Sequence, residues 1–459
     1  MLQPGQCVPS TRELARQYGI SRGTVLTAIE DLKAEGYLLG ARGSGTFISK
    51  ALPDRLLHKS IPVSSPRVAG PGELPRISDY AKRVKPLSHF VSPLSLAFRT
   101  NLPALDLFPT NLWAQVVGRR LRQSSTSHLL GCEPKGYLPL REAIAQYLRT
   151  SRGVRCEREQ VVIVSGVQEA IDLVARLLLN PGDRVLMEDP GYQVAFAAFE
   201  AVGARIVSVP IDNEGAAPVQ QAFHDARLVY VTPGHQFPTG VTMSLRRRVE
   251  ILRRAREASS YIFEDDYDSE FRYSGSPLPS LQGIDRDNLV IFAGSFNKTL
   301  FPSLRMGYMV LPPALLEVFE RTKAIVSRHH SVIDQAVICD FIEQGHFNRH
   351  LRKMRKVYAE RLAALSYHSS KYLSGLLELS KIEAGLQTVG WLKTGIFAED
   401  ASSAAASKRI DVVPLSRYCH KERLQQGIQI GFAAVDESAI AKGIHSLAAV
   451  LGSLNPSKE

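Results

Sequence analysis

A chain of 459 residues is too long for one ordinary core and should divide into two or more domains. Its 44% hydrophobic and 22% charged residues lie in the globular range, which excludes disordered and fibrous classes, and no apolar run approaches the roughly 18 residues of a membrane span. The net charge of +11 favours a polyanionic partner, because Lys and Arg release counterions from a phosphate backbone, although many basic proteins never touch nucleic acid.

The N-terminus, Met1-Leu2-Gln3-Pro4, lacks the basic-then-apolar layout of a secretory signal, so a cytoplasmic protein is expected. Ser10-Thr11-Arg12-Glu13 then has capping-box spacing, in which Ser takes one backbone N–H and Glu reaches back to another. It opens a short helix through Leu14, Ala15 and Tyr18 that stops near Gly19. Ser21 caps a second helix with the apolar face Val25, Leu26, Ile29 and Leu32, ending at Gly36. Two helices joined by a tight Gly-containing turn make a helix-turn-helix. Tyr37-Leu38-Leu39 and Thr46-Phe47-Ile48 add two strands around a hairpin tip, Ala41-Arg42-Gly43-Ser44-Gly45. The second helix is the expected reading helix, with Arg22, Gly23 and Thr24 at base edges and Ser21 near phosphate. Arg12 on the first helix, and Arg42 and Gly43 on the wing, complete the DNA-binding set. Each residue alone has a plainer reading, as a solvated arginine or a turn glycine. Their order together is specific.

Residues 51–94 are rich in Pro, Ser and Gly and read as a linker, too poor in apolar surface to fold alone. From about residue 95, short β-branched runs alternate with helical patterns. Strands are expected at Val161–Val164, Arg184–Met187, Leu228–Val231, Tyr261–Phe263 and Leu289–Phe292, with helices over 167–179 and 244–258. This alternation predicts an α/β fold with a largely parallel sheet covered by helices. Five scattered cysteines (Cys7, Cys132, Cys156, Cys339 and Cys419) have neither disulfide nor zinc spacing, so free thiols and no metal are expected.

The chemistry centres on Ser295-Phe296-Asn297-Lys298, which follows a strand and Gly294. A lysine in a loop at a strand's C-terminal end lies where such sheets present reactive groups. A Schiff-base lysine needs a phosphate anchor and a partner for a pyridinium nitrogen. Ser295 and Arg305 suit the phosphate, and Ser165-Gly166-Val167-Gln168 offers amides at a helix N-terminus. Glu264-Asp265-Asp266-Tyr267-Asp268 offers a carboxylate for the nitrogen, because an opposite charge favours the protonated form. Tyr267 is placed to meet the ring's phenolic oxygen and Tyr192, in Glu188-Asp189-Pro190-Gly191-Tyr192, to stack on the ring. Singly, the acidic cluster is a solvated loop or a metal site, Pro-Gly-Tyr is a turn, and Ser-x-x-Lys occurs in unrelated serine hydrolases.

Pro9-Ser10-Thr11-Arg12-Glu13-Leu14-Ala15, Ser21-Arg22-Gly23-Thr24-Val25 and Gly43-Ser44-Gly45-Thr46-Phe47-Ile48 resemble the winged helix-turn-helix of the GntR family. That family carries a further helix before this stretch; with eight residues ahead of Pro9, the first helix is expected to be missing. The remainder resembles fold-type I aminotransferases, and more closely the MocR-type regulators that fuse them to a GntR domain. Its marks include Gly136-Tyr137-Leu138-Pro139-Leu140-Arg141, Thr232-Pro233-Gly234-His235-Gln236-Phe237-Pro238-Thr239-Gly240, the 264–273 stretch and Gly345-His346-Phe347-Asn348-Arg349. The resemblance implies a DNA-binding domain over 1–50, a linker over 51–94, and over 95–459 an aminotransferase-like domain holding pyridoxal 5'-phosphate (PLP), with a smaller C-terminal α+β part. It implies that Lys298 forms the internal aldimine, Asp265 pairs the pyridine nitrogen, Tyr267 meets the phenolic oxygen and Arg305 binds phosphate.

Two departures separate the chain from plain aminotransferases. Phe237 stands where Asn usually precedes Pro-Thr-Gly, leaving His235 or Gln236 as substitutes, and Gln429 stands where a late strand usually carries the carboxylate-binding Arg. Arg417 is the candidate for that task, since a planar fork suits a carboxylate. The expected function is a homodimeric transcription regulator of a DNA operator, in which an amino acid or amine displaces Lys298 to form an external aldimine. The alternatives are a PLP-dependent aminotransferase with a remnant DNA-binding segment, and a regulator whose ligand is PLP itself.

Overall fold

The computed structural model of the chain describes residues 3–41, 45–50, 76–86, 97–275, 278–421 and 425–454. They divide into two units with the boundary after Arg76. In the smaller unit, Ser10 caps the helix Thr11–Tyr18 with both halves of the capping box formed, and Gly19 closes it at φ 63°. Ser21 caps the helix Arg22–Ala34 by accepting from the Thr24 amide. Strands β1 (Leu38–Ala41) and β2 (Gly45–Ile48) pair antiparallel, with Leu38 opposite Ile48. Val25, Ile29 and Leu38 form the centre of a small core edged by Leu14 and Ile48. Leu26 and Leu32, expected on the same apolar face, are instead 53% and 40% exposed. Successive helical residues are turned by about 100°, so Leu26 falls off the stripe that Val25 and Ile29 share. The wing residues Arg42 and Gly43 lie outside the described residues.

Much of the stretch 51–94 also lies outside them. Its described part carries a short helix, Asp79–Arg83, belonging to the larger unit. Arg83 Nε donates to the Ala201 carbonyl at 3.0 Å, Lys85 pairs with Glu200, and the Arg176 guanidinium lies over the Tyr80 ring. These partners are remote in sequence, which is why composition alone does not reveal the helix.

The larger unit is built on eight strands: β3 (Val161–Val164), β4 (Arg184–Asp189), β5 (Arg205–Asp212), β6 (Gly215–Ala216), β7 (Ala226–Val231), β8 (Tyr261–Asp266), β9 (Val290–Ser295) and β10 (Gly307–Val310). They lie in the order β3-β10-β9-β8-β7-β4-β5-β6. The pairs among β4, β5, β7, β8 and β9 are parallel, while β10 enters antiparallel between β3 and β9. The helices Val167–Leu178 and Gln193–Ala201 cover one face, over Val162, Phe263 and Ile291, and Leu245–Glu257 covers the other, over Leu186, Val229 and Ile262.

A long helix, His346–Tyr372, packs in the core that leads to a smaller lobe. There β11 (Leu377–Leu379), β12 (Gln387–Leu392), β13 (Val413–Pro414) and β14 (Gly427–Gly431) form an antiparallel sheet in the order β11-β12-β14-β13. Ala398–Ser407 and Glu437–Leu454 are this lobe's helices. Among the described residues no helix is long and apolar enough to cross a membrane. In the large sheet, register sets Asp265 beside Ala293, Ser295 beside Gly307, and Gly307 beside Val164. The residues after β3, β7, β8 and β9 therefore gather at one rim of the sheet.

Candidate functional site

Three residues beyond β9, Lys298 donates from Nζ to the Asn101 carbonyl at 2.6 Å. Asn101 is held in the left-handed region at φ 61°, and its amide donates to Gln387 of the smaller lobe at 2.7 Å. Burial lowers the Lys298 pKa to about 8, against the pull of Asp268 and Asp265. This raises the neutral-amine fraction near physiological pH well above that of an ordinary lysine, as a nucleophile requires.

β8 runs three residues further than the sequence predicts, so the acidic cluster is divided by strand alternation rather than held in a loop. Glu264 accepts from the amides of Leu281 and Gln282, both at 2.9 Å. Asp265 faces a cavity and accepts from the Tyr230 hydroxyl at 2.6 Å. Asp266 points elsewhere and pairs with Arg152 at 2.8 Å. Burial raises the Asp265 pKa to about 7, against the Tyr230 hydrogen bond. Tyr267 lines the same cavity, its hydroxyl 3.0 Å from His235 Nδ1.

The cavity measures about 540 Å³, within the range of small-molecule sites. Its near wall carries Tyr192, Asp265, Tyr267 and Lys298; its far wall, from the smaller lobe, includes Ser402, Asp411 and Arg417. Phe237 lines it too. The two side chains expected to replace Asn there are used elsewhere, which corrects that expectation. His235 sits 3.0 Å from Asp268, and Gln236 donates to the Pro190 and Phe237 carbonyls at 2.9 and 2.6 Å. Gln429 is fully buried, accepting from Tyr418 at 3.0 Å while its Nε2 has no hydrogen-bond partner among the described residues. Arg417 is half-exposed, 3.6 Å from Glu399.

At the start of Val167–Leu178, Gly166 adopts φ +80°, a conformation side chains rarely tolerate, so the chain turns sharply into the helix. Val167 and Gln168 line the cavity, and Arg305 Nη2 donates to Gln168 at 3.0 Å. Ser295 accepts from the Asn297 amide at 3.1 Å. The elements that brace this turn were missed in the sequence. Glu169 accepts from Lys323 at 2.9 Å, Ser327 at 2.6 Å and the Ser165 amide, and lies 2.9 Å from His330 Nε2. Burial alone would raise the Glu169 pKa, but these partners hold it far below the usual carboxylate range. No local signal marks the set, because Lys323 and His330 lie more than 150 residues from Glu169.

Residues 108–376 match the family described as aminotransferase class I and II, and residues 1–48 match the bacterial regulatory proteins of the gntR family. The probable rhizopine catabolism regulatory protein MocR of Rhizobium meliloti is 37% identical over 96% of this chain and 88% of its own. The chain belongs to the MocR-type regulators of the GntR family. The pyridoxine biosynthesis transcriptional regulator PdxR of Corynebacterium glutamicum is 29% identical over 96% of this chain and 90% of its own. Among solved structures, the α-aminoadipate aminotransferase LysN of Thermus thermophilus, complexed with N-(5'-phosphopyridoxyl)-L-leucine, is 28% identical with a TM-score of 0.74, covering 82% of this chain and 97% of that one. This MocR-type chain is thus a PLP-dependent transcription regulator with a fold-type I aminotransferase domain. Its own residues fit the cofactor. Asp265 is a buried carboxyl whose described side-chain hydrogen bond comes from neutral Tyr230, so it suits a cationic ring nitrogen, and it shares its cavity with Lys298.

Proposed function

We propose that this regulator senses a small amino acid or amine in the cytoplasm, acting as a homodimer that couples the ligand to an operator. The observation that carries this reading is the cavity in which Lys298, Asp265 and Tyr267 face residues of the smaller lobe, with room beyond them. When bound, PLP supplies an electrophilic carbon that a ligand's amino group can take from a lysine. Asp265 would keep a proton on the ring nitrogen, Tyr267 would donate to the ring oxygen, and Tyr192 would supply an apolar surface for the ring. Gly166, Val167 and Gln168 would present amides to the phosphate, with Ser295 and Arg305 beside them. A ligand that engages both walls biases the spacing of the lobes, and any effect on DNA affinity is matched by an equal effect of DNA on ligand affinity. Gln429, buried and held by Tyr418, supports a sensor over efficient transamination.

The deciding experiment measures operator binding by the PLP-loaded full chain against a panel of amino acids and amines. A ligand-dependent change in affinity supports the reading; sustained transamination with no ligand effect on DNA overturns it.

Arg417 is the proposed carboxylate contact. Arg417→Ala should raise the half-maximal concentration of a carboxylate-bearing effector roughly 10- to 100-fold, the loss of about 1.5–3 kcal/mol for a charged hydrogen bond. An amine lacking the carboxylate should respond as before. Arg22, Gly23 and Thr24 are the proposed base contacts, Ser21 and Arg12 the phosphate contacts, and Arg42 and Gly43 the wing contacts. Arg22 is exposed at the first turn of its helix, its Nε 3.4 Å from Thr11 Oγ1. Arg22→Ala should weaken operator binding by about 1–3 kcal/mol and relax preference at one base position, read by gel shift on a set of single-base variants.

A further inference from the structure

Beside the segment that follows β8 lies a second crevice of about 430 Å³. Arg152, Arg248, Arg272 and Arg355 line it together with Glu270 and Ser269. The four guanidinium groups are unevenly matched by the carboxyls around them. Arg152 is neutralised by Asp266 at 2.8 Å. Arg272 reaches Glu383 only at 3.5 Å, without a hydrogen bond from its Nη1 among the described residues, and Glu383 is shared with Lys381 at 2.8 Å. Arg248 is almost wholly buried and donates only to carbonyls, those of Met243, Pro279 and Pro233 at 3.0, 2.8 and 2.6 Å. Arg355 donates to the Glu270 carbonyl at 2.6 Å. Arg248 forms no ion pair among the described residues, although the nearby Glu264 and Asp266 carboxyls favour its charged form. Burial raises the Glu270 pKa to about 7, so near neutrality this acid supplies only part of a charge.

A cluster of four guanidinium groups creates a positive field that attracts an anion. Two hydroxyls that line it are already engaged, Tyr273 donating to the Gly385 carbonyl at 2.7 Å and Tyr147 to Glu270 at 3.2 Å. What the crevice offers a ligand is therefore guanidinium: the exposed end of Arg355 and the underused donors of Arg272. A planar fork binds an oxyanion in bidentate fashion. We infer that this crevice is a second ligand site, taking a small oxyanion, phosphate or carboxylate, between Arg355 and Arg272. Its position makes it relevant to the cofactor. Ser269 and Glu270 lie a few residues beyond Asp265, Gly234 adjoins His235, and Ala384 belongs to the segment entering the smaller lobe.

The test uses calorimetry on the PLP-loaded full chain, so that the cofactor's own phosphate seat is filled, at constant ionic strength. Inorganic phosphate and succinate are titrated separately. Saturable binding of phosphate identifies a phosphate-class ligand, and of succinate a carboxylate-class ligand; Arg355→Ala should weaken either at least tenfold, and Arg272→Ala likewise. Arg355 is exposed, so its variant leaves the core intact. The inference is overturned if neither anion saturates, if both variants bind like the parent, or if only Arg417→Ala abolishes binding, which would place the anion in the cofactor cavity.

Discussion

Lys298→Ala should remove the visible absorbance band of lysine-bound PLP completely, while leaving PLP able to bind through its phosphate. The lysine is the one amine lining the cavity among the described residues, so no neighbour can replace it in the covalent link. Added alkylamine or amino acid should shift the parent's spectrum and leave the variant's unshifted by exchange. The parent also has a characteristic pH dependence. Burial lowers the Lys298 pKa to about 8, so at pH 7 roughly a tenth of it is the neutral amine, against about one part in 2,500 for an ordinary lysine near 10.4. The rate at which PLP attaches to the apoprotein should thus rise with pH and flatten above about 8. A rate that keeps climbing toward pH 10 would show a solvated lysine, and a surviving band in Lys298→Ala would move the link to another residue.

The parts of this site that a local string encodes were legible in the sequence. Lys298 after a strand and Gly294, the acidic run containing Asp265, and the Gly166 turn opening a helix each announce themselves within about five residues. The Ser10–Glu13 capping box and the Ser21 cap of the reading helix were equally local. What escaped depends on tertiary register. The Asn101 carbonyl that receives Lys298 lies 197 residues away, and Tyr230 meets Asp265 only because β7 and β8 are neighbours. β10 gave no signal, since Gly307-Tyr308-Met309-Val310 is too short to distinguish from a loop; yet it pairs with β9 and β3, setting Ser295 and Val164 on either side of Gly307. His235 and Gln236 were misplaced for the same reason. Sequence puts them beside Phe237, but Asp268 and the Pro190 carbonyl, remote along the chain, decide where their side chains go.

Asp265→Asn should change stability and cofactor affinity in opposite directions. In the apoprotein, burial raises the Asp265 carboxyl from near 3.8 to about 7, with Asp266 and Asp268 adding to the shift and Tyr230 and Lys298 opposing it. Between those values the folded chain holds a proton that the unfolded chain has released. Unfolding free energy therefore falls as pH rises through that window, by about 4 kcal/mol in all for a three-unit shift. Glu188 and Glu264, also raised to about 7 by burial, slope the same way. Apoprotein unfolding temperature should accordingly drop from pH 5 to pH 8, and Asp265→Asn should shallow that decline, exceeding the parent modestly near pH 5 and most near pH 8. PLP reverses the ranking. A cationic ring nitrogen gives the ionised carboxylate its missing partner, a charged hydrogen bond contributing about 1.5–3 kcal/mol, so the variant should bind PLP roughly 10- to 100-fold more weakly. The parent should gain more thermal protection from PLP at pH 8 than the variant does. Equal melting of the two apoproteins at both pH values would mean Asp265 is solvated, and equal PLP affinity would mean it does not face the ring nitrogen. The carboxyl that makes the empty site least stable is then the one that makes the filled site tight, as expected where function opposes stability.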